Sequence, residues 1–121
     1  MAIIWTQNPI RLGDRSEPQP DLAILKLRDD FYANALPTPE DILLIIEVAD
    51  STITYDRDVK SPLYAANGIP EMWLFDVNQQ IIEGYLQPSP SGYKRSQRYE
   101  RVDTIAMNAF PEVIFNWEAL F

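Results

Sequence analysis

The stretch ILLIIEVADSTITYDRDVK, residues 42–60, decides the fold of this chain. It also raises the question of why Glu47 stands in an otherwise apolar run. Residues 42–48 are apolar on both faces apart from Glu47, a pattern typical of a central strand covered on both sides. Because side chains alternate along a strand, Glu47 is expected to share a face with Leu43 and Ile45. A buried carboxylate needs a cation or hydrogen-bond donors. Glu47 therefore has such partners, or else it lies at an exposed strand end and is solvated.

The main helix of the chain is predicted over residues 55–67. Asp56 and Lys60 are four residues apart, as are Lys60 and Tyr64, so each pair lies on one helix face. Pro62 has no backbone N–H to donate and is expected to kink this helix. The helix stands between two apolar strand candidates, which favours a right-handed crossover between two parallel strands.

The rest of the chain predicts short strands separated by polar connections. Strand candidates are residues 2–5, 21–28, 71–77 and 81–87, a polar strand or strand pair at 92–102, and a short strand with a closing helical turn at 109–121. Residues 8–20 and 29–41 are polar and contain prolines, so they are predicted to be surface connections. We therefore expect a mixed α/β fold with one dominant sheet, in a single domain of residues 1–121.

Composition limits the chemistry that this chain can perform. Its 121 residues include no cysteine and no histidine, which excludes disulfides, thiol nucleophiles, histidine bases and Cys/His zinc sites. The side-chain ligands of a bound metal would therefore be oxygens, which Mg²⁺, Mn²⁺ and Ca²⁺ prefer. No apolar run approaches the length of a membrane helix and the start of the chain lacks a basic leader, so we expect a cytoplasmic protein.

The charge of the chain opposes non-specific binding to nucleic acids. The formal net charge is −8 at pH 7, whereas affinity for DNA or RNA comes largely from Lys and Arg that neutralise phosphates. The only compact basic group in the sequence comprises Lys94, Arg95, Arg98 and Arg101. We interpret this group as the outer face of a solvated hairpin.

A second acid is placed where it could meet Glu47. Asp21 follows Pro20 at the start of another apolar strand, although it could also be a simple turn residue. Acids at the ends of two neighbouring strands can converge on one cation, and Mg²⁺ typically takes one or two carboxylates plus waters and substrate phosphates. A helix that packs back over the sheet would bring Lys60 to the same cleft, whereas an ion pair with Asp56 is its simpler role.

Three segments of the chain resemble a known family: SEPQPDLAIL at residues 16–25, LLIIEVADSTITYDRDVKSPLYAANGIPEMWLFDV at 43–77, and YLQPSPSGY at 85–93. From about Gln7 to the C-terminus the chain resembles the Uma-like family of putative restriction endonucleases. That family belongs to the PD-(D/E)xK nuclease superfamily and is abundant in cyanobacteria. The resemblance implies a restriction-endonuclease-like fold, with a mixed β-sheet and a crossover helix.

The resemblance also implies roles for individual residues. Asp21 and Glu47 match the two acids of the superfamily motif and would bind a divalent metal, Mg²⁺ or Mn²⁺, with the Val48 carbonyl as a further ligand. The lysine of the motif usually stands two residues after the second acid, where this chain has Ala49. The resemblance offers Lys60, on the following helix, in its place. The residues that would border the site are Gln19, Asp56 and Tyr64.

The implied function is metal-dependent hydrolysis of DNA phosphodiester bonds, with Asp21, Glu47 and Lys60 as the catalytic set. The alternatives are a catalytically degenerate module that keeps the nuclease fold for binding or assembly, and a small-molecule hydrolase that uses the same acids. Family members usually extend further at the N-terminus, so we expect this chain to be N-terminally truncated. An open sheet edge or an exposed apolar face would then favour a homodimer.

Overall fold

The computed structural model describes residues 2–6, 9–12, 18–33, 35–50, 53–102 and 104–120. The strands in chain order are β1 (Ala2–Thr6), β2 (Leu22–Lys26), β3 (Ile42–Ala49), β4 (Glu71–Asp76), β5 (Ile81–Ser89), β6 (Gly92–Glu100), β7 (Thr104–Ala106) and β8 (Ile114–Asn116). The main helix, α1, spans residues 53–66, and a short helix, α2 (Trp117–Leu120), follows β8. A 3₁₀ turn (Pro39–Asp41) leads into β3.

Strands β1 to β6 form one sheet in which spatial order follows chain order. Neighbouring strands are antiparallel except β3 and β4, which are parallel and are connected by α1. The predicted mixed sheet with a crossover helix is therefore confirmed. Strands β7 and β8 pair with each other as a second, antiparallel sheet, and β7 has no counterpart among the predicted strands.

The central strand β3 departs from strict alternation at Leu43. Ile42 and Leu44, on either side of Leu43, pair with consecutive residues of β2, so Leu43 is an extra residue in the register. Leu43 packs, partly buried, on the face opposite to Ile45. The expectation that Leu43 shares a face with Glu47 is therefore wrong, because the bulge reverses the alternation before Ile45.

Both faces of the sheet carry an apolar cluster, as the apolar pattern of residues 42–48 predicts. The first cluster lies on the face that α1 covers, and its buried members include Ile45, Ala49, Tyr64 and Leu74. The second cluster lies on the other face beneath α2 and the β7–β8 pair, and its buried members include Leu44, Trp73, Phe75 and Trp117. All six residues of β4 are buried, so β3 and β4 form the covered centre of the sheet.

Helix α1 is continuous but changes its winding ahead of Pro62. It begins with α-helical residues 53–55, widens to a π-helix over Asp56–Lys60, and returns to α-helix over Ser61–Ala66. The Ser61 N–H bonds to the Asp56 carbonyl, five residues back. Because a proline ring crowds the carbonyl four residues before it, this wider turn accommodates Pro62 where a kink was predicted. Within the described ranges, no helix is long and apolar enough to cross a membrane.

The remaining elements agree with the sequence in type and differ in detail. Residues 92–100 form one strand, β6, on which the basic residues are exposed, as interpreted. The connection at 29–41 is not confined to the surface, because the buried Tyr32 donates its hydroxyl to the Lys26 carbonyl over 2.6 Å and meets Trp5 edge-on. Part of the connection predicted at 8–20 lies outside the described residues; its described parts contain no helix or strand.

Candidate active site

The antiparallel pairing of β2 with β3 sets Asp21 beside Glu47. Strand β2 begins at Leu22, which pairs with Ile46 near the end of β3. Asp21 stands immediately before Leu22, and Glu47 stands immediately after Ile46. The two acids therefore meet at one end of the sheet, because antiparallel partners advance in opposite directions.

Asp21 and Glu47 are linked by two hydrogen bonds through the main chain. The Asp21 N–H donates to Glu47 Oε1 over 2.9 Å, and the Val48 N–H donates to Asp21 Oδ2 over 2.7 Å. Glu47 is 1% exposed, so the alternative of a solvated strand end is wrong. The Glu47 carboxylate thus accepts from the Asp21 backbone, and the Asp21 carboxylate accepts from the residue after Glu47. These two bonds hold the pair in one arrangement.

Helix α1 brings Lys60 to this pair. Its Nζ lies 2.8 Å from Glu47 Oε2 and 3.5 Å from Asp56 Oδ1, so the two roles considered for Lys60 occur together. The Lys60 side chain remains 28% exposed and faces solvent on one side. Ala49 is fully buried in the first cluster, whereas the ammonium beside Glu47 belongs to Lys60 of α1.

Tyr64 adds a further donor to the same carboxylate. One turn after Lys60, its hydroxyl donates to Glu47 Oε2 over 3.1 Å, and its ring is fully buried in the first cluster. Asp56 is also buried and contacts Lys60. Both predicted border residues on α1 are therefore in direct contact with the acid pair or its lysine.

The other predicted site residues lie at the rim. Gln19 is exposed, two residues before Asp21. The Val48 side chain is half exposed, and its N–H bonds to Asp21. Because the N–H and C=O of one residue in an extended strand point to the same side, the Val48 carbonyl faces the side on which Asp21 lies.

Burial and ion pairing act in opposite directions on the charges of the site. Burial raises the pKa of Glu47, and the donors around it, Lys60 first among them, oppose that rise. Burial alone would lower the pKa of Lys60, but its contacts with Glu47 and Asp56 outweigh burial and raise that pKa. Burial and the nearby Glu47 raise the pKa of Tyr64, which therefore stays protonated as a donor. Lys60 is charged at neutral pH, and the carboxylate form of Glu47 depends on its donors.

A protein-family model matches almost the whole chain: the model of Uma2, described as "Putative restriction endonuclease", matches residues 1–118. The chain belongs to the Uma2 family. Among solved structures, this Uma2 protein is similar to a putative nuclease belonging to DUF820 from Anabaena variabilis ATCC 29413, with a TM-score of 0.69 and 17% identity over 99% of this chain and 68% of that one. At this identity the likeness shows the fold alone, which is that of the nuclease-like mixed sheet. No curated protein matches the sequence.

The acid pair of this Uma2 protein fits a divalent cation that keeps part of its water shell. Within the described part of the chain, no hydrogen bond or ion pair engages Asp21 Oδ1, and Glu47 Oε1 accepts one donor. Glu47 and Asp56 both contact the Lys60 ammonium, and the Asp21 main-chain N–H bonds to Glu47. No group of three His, Cys, Asp or Glu among the described residues could hold a metal. The set therefore suits Mg²⁺ held by one or two carboxylates plus water and substrate, not a closed protein cage.

The Uma2 chain carries a second ionic cluster on this sheet face that the sequence analysis did not identify. The register places Glu83 two strands away from Glu47, with Leu74 between them. Arg57 of α1 donates to both oxygens of Glu83, and Tyr85 donates to one of them. The Arg57 guanidinium lowers the pKa of Glu83. These contacts hold the first half of α1 against the sheet. In the sequence they are indicated by an acid inside an apolar strand, IIEGY.

Proposed function

We propose that this Uma2 protein is a divalent-metal-dependent endonuclease that hydrolyses phosphodiester bonds in DNA. The observation that carries the proposal is the meeting of Asp21, Glu47 and Lys60 at one end of the sheet. Two acids joined through main-chain hydrogen bonds, with an ammonium in contact with one of them, in a chain without histidine or cysteine, are suited to chemistry in which a metal ion replaces an imidazole base. Membership of the Uma2 family supports DNA as the substrate class.

The two acids and Val48 would hold the cation, Mg²⁺ or Mn²⁺. Asp21 offers Oδ1, Glu47 offers the remaining lone pair of Oε1, and the Val48 carbonyl faces the same side. When bound, such a cation makes water a better nucleophile and offsets the negative charge of the phosphate. The pair is held by main-chain N–H groups and needs little rearrangement to receive it, which favours binding.

Lys60 would act on the phosphate and on the attacking water. Its ammonium is held by Glu47 and Asp56 and keeps part of its surface in solvent, where a substrate can reach it. From there it stabilises the negative charge that develops on the phosphate and orients the water. Lys60 remains protonated in this role, which agrees with its raised pKa.

The test is cleavage of plasmid and single-stranded DNA with Mg²⁺ or Mn²⁺ by the wild type and by Asp21→Ala. Asp29→Ala is the matched control, because Asp29 is an exposed acid in the turn after β2. The proposal predicts cleavage that depends on the metal, is lost in Asp21→Ala and is kept in Asp29→Ala. Equal cleavage by the wild type and Asp21→Ala would contradict the assignment of Asp21 to the active site.

A second candidate is a nuclease-fold module that binds or assembles without catalysis. Two observations favour it: the described residues hold no group of three metal-ligating side chains, and the net charge of −8 opposes DNA binding. Calorimetry with Mn²⁺ separates the candidates. Heat of binding that disappears in Asp21→Ala favours the nuclease, whereas no heat together with no cleavage favours the module.

A further inference from the structure

The two oxygens of the Glu47 carboxylate have different partners. Oε1 accepts the Asp21 N–H over 2.9 Å, while Oε2 accepts the Tyr64 hydroxyl over 3.1 Å and lies 2.8 Å from the Lys60 ammonium. The terminal torsion of a glutamate side chain is broad and roughly two-fold. The rotation of this carboxylate is therefore decided by the donors around it and not by its own rotamer.

The two donors to Oε2 differ in their freedom to move. The lysine side chain has a flexible four-carbon stem and is 28% exposed, so its ammonium can turn from Glu47 toward a phosphate. The tyrosine ring is fully buried, and its hydroxyl has a fixed place at the end of that ring. When Lys60 engages an anion, Tyr64 is the donor that stays on Oε2.

We propose that Tyr64 is a positioning residue of the candidate metal site: its hydroxyl holds Glu47 Oε2 so that Oε1 faces Asp21 and the cation. The inference rests on the proposed function in one respect, namely that Asp21 and Glu47 hold the metal. It assigns Tyr64 no contact with metal or substrate. Its placement follows from α1, where Tyr64 stands one turn after Lys60 on the helix side that faces Glu47.

The test compares Tyr64→Phe with Tyr93→Phe. Each substitution removes one hydroxyl while keeping the ring that fills the core, so both variants are expected to fold. Tyr93 packs against the same first cluster, but its hydroxyl donates to the Ile69 carbonyl over 2.8 Å, away from Glu47. The control therefore reproduces the loss of a tyrosine hydrogen bond without touching the carboxylate.

The measurements are Mn²⁺ affinity by calorimetry, Tm, and hydrogen exchange of the Asp21 amide without metal. Tyr64→Phe should weaken Mn²⁺ binding about 10-fold, as the loss of a group that orients a metal ligand typically does. It should also speed exchange of the Asp21 amide, since its acceptor Oε1 is no longer held. Both variants should lower Tm by a similar amount, because each loses one hydrogen bond. Tyr93→Phe should leave Mn²⁺ affinity and exchange of the Asp21 amide as in the wild type.

Two outcomes would overturn the inference, and they are distinguishable. If the wild type binds Mn²⁺ and Tyr64→Phe binds it as tightly as Tyr93→Phe, with unchanged Asp21 exchange, Tyr64 is only a core residue while the proposed function stands. If the wild type itself binds no Mn²⁺, the metal role of Asp21 and Glu47 fails, and the positioning role of Tyr64 fails with it.

Discussion

Asp21 and Glu47 hold each other through the backbone: the Asp21 N–H donates to Glu47 Oε1 over 2.9 Å, and Asp21 Oδ2 accepts the N–H of Val48, the residue after Glu47, over 2.7 Å. This reciprocal contact explains why a carboxylate stands in an apolar strand. Three donors oppose the cost of burying Glu47, and β3 carries it to the end of the sheet where Asp21 stands directly before β2.

The reciprocal contact predicts that Asp21→Asn and Asp21→Ala differ in stability and agree in activity. Asn keeps an oxygen that can accept the Val48 N–H, whereas Ala removes this exposed hydrogen bond, which should cost about 0.5–1.5 kcal/mol. Both lose the carboxylate, so cleavage should fall at least about 100-fold in each. Urea unfolding and plasmid cleavage check this pair. Equal stability of the two variants would contradict the structural role given to Oδ2.

Lys60→Ala is expected to lower DNA cleavage without lowering the affinity for the metal. Removing the ammonium takes away a positive charge, but also the donor that most opposes the raised pKa of Glu47. Mn²⁺ affinity is therefore compared at a pH high enough to ionise this carboxylate, where Mn²⁺ should bind at least as tightly as in the wild type. Cleavage should nevertheless fall about 100-fold or more, because the developing charge on the phosphate loses its partner. Lys94→Ala, which removes an exposed cation on β6, is the control. Weaker Mn²⁺ binding in Lys60→Ala than in this control would contradict the account.

Glu71 is expected to make stability depend on pH. It is buried beside the second cluster, where its oxygens accept the Asn108 N–H over 2.7 Å and the Trp73 Nε1–H over 2.9 Å. Burial raises its pKa above the ordinary value of 4.5. A raised pKa means that the folded protein binds the proton more readily than the unfolded chain. The resulting stability is full below pH 4.5 and is lost as pH rises through the raised pKa.

The measurement for Glu71 is urea unfolding of the wild type and Glu71→Gln at pH 5 and pH 8. Gln has no charge to gain, so the stability of the wild type relative to Glu71→Gln should be greater at pH 5 than at pH 8. If the stabilities of the two proteins changed equally between pH 5 and pH 8, the pKa of Glu71 would be the same in the folded and the unfolded protein, which would contradict the prediction.

An exposed apolar groove beside the site predicts a homodimer. Ile4 of the edge strand β1 is 67% exposed, and it lines a groove of about 660 Å³ with Ile24, Val48 and Phe115. Apolar surface of this kind beside an open edge strand favours burial against a second chain. Light scattering at micromolar concentration should show a dimer that Ile4→Glu converts to monomer and Val59→Glu, on α1, does not. A monomeric wild type would contradict the dimer.

The fold was largely predictable because its centre is local in sequence. Residues 42–48 are apolar on both faces, which is sufficient to indicate a covered central strand, and α1 follows directly. The bulge at Leu43 was not predictable, because it depends on how β2 pairs with β3 across many intervening residues. Strand β7 was missed for a similar reason, since a three-residue strand is defined by its partner β8 more than by its own pattern.

The residues of the candidate site were predictable, whereas the distances between them were not. Glu47 interrupts an apolar segment and Asp21 stands directly before one, which is visible in the sequence. The contact of Lys60 with Glu47 required the distance between α1 and the sheet, which spacing along the chain does not give. The pairing of Arg57 with Glu83 likewise depends on the register of β4 and β5.

The most direct test of the central claim is the anomalous scattering of crystals soaked in Mn²⁺. The account predicts one strong anomalous peak between the carboxylates of Asp21 and Glu47, beside the Val48 carbonyl, which disappears in Asp21→Ala. Crystals without a peak there, with the two carboxylates turned away from each other, would contradict the claim that these acids form a metal site.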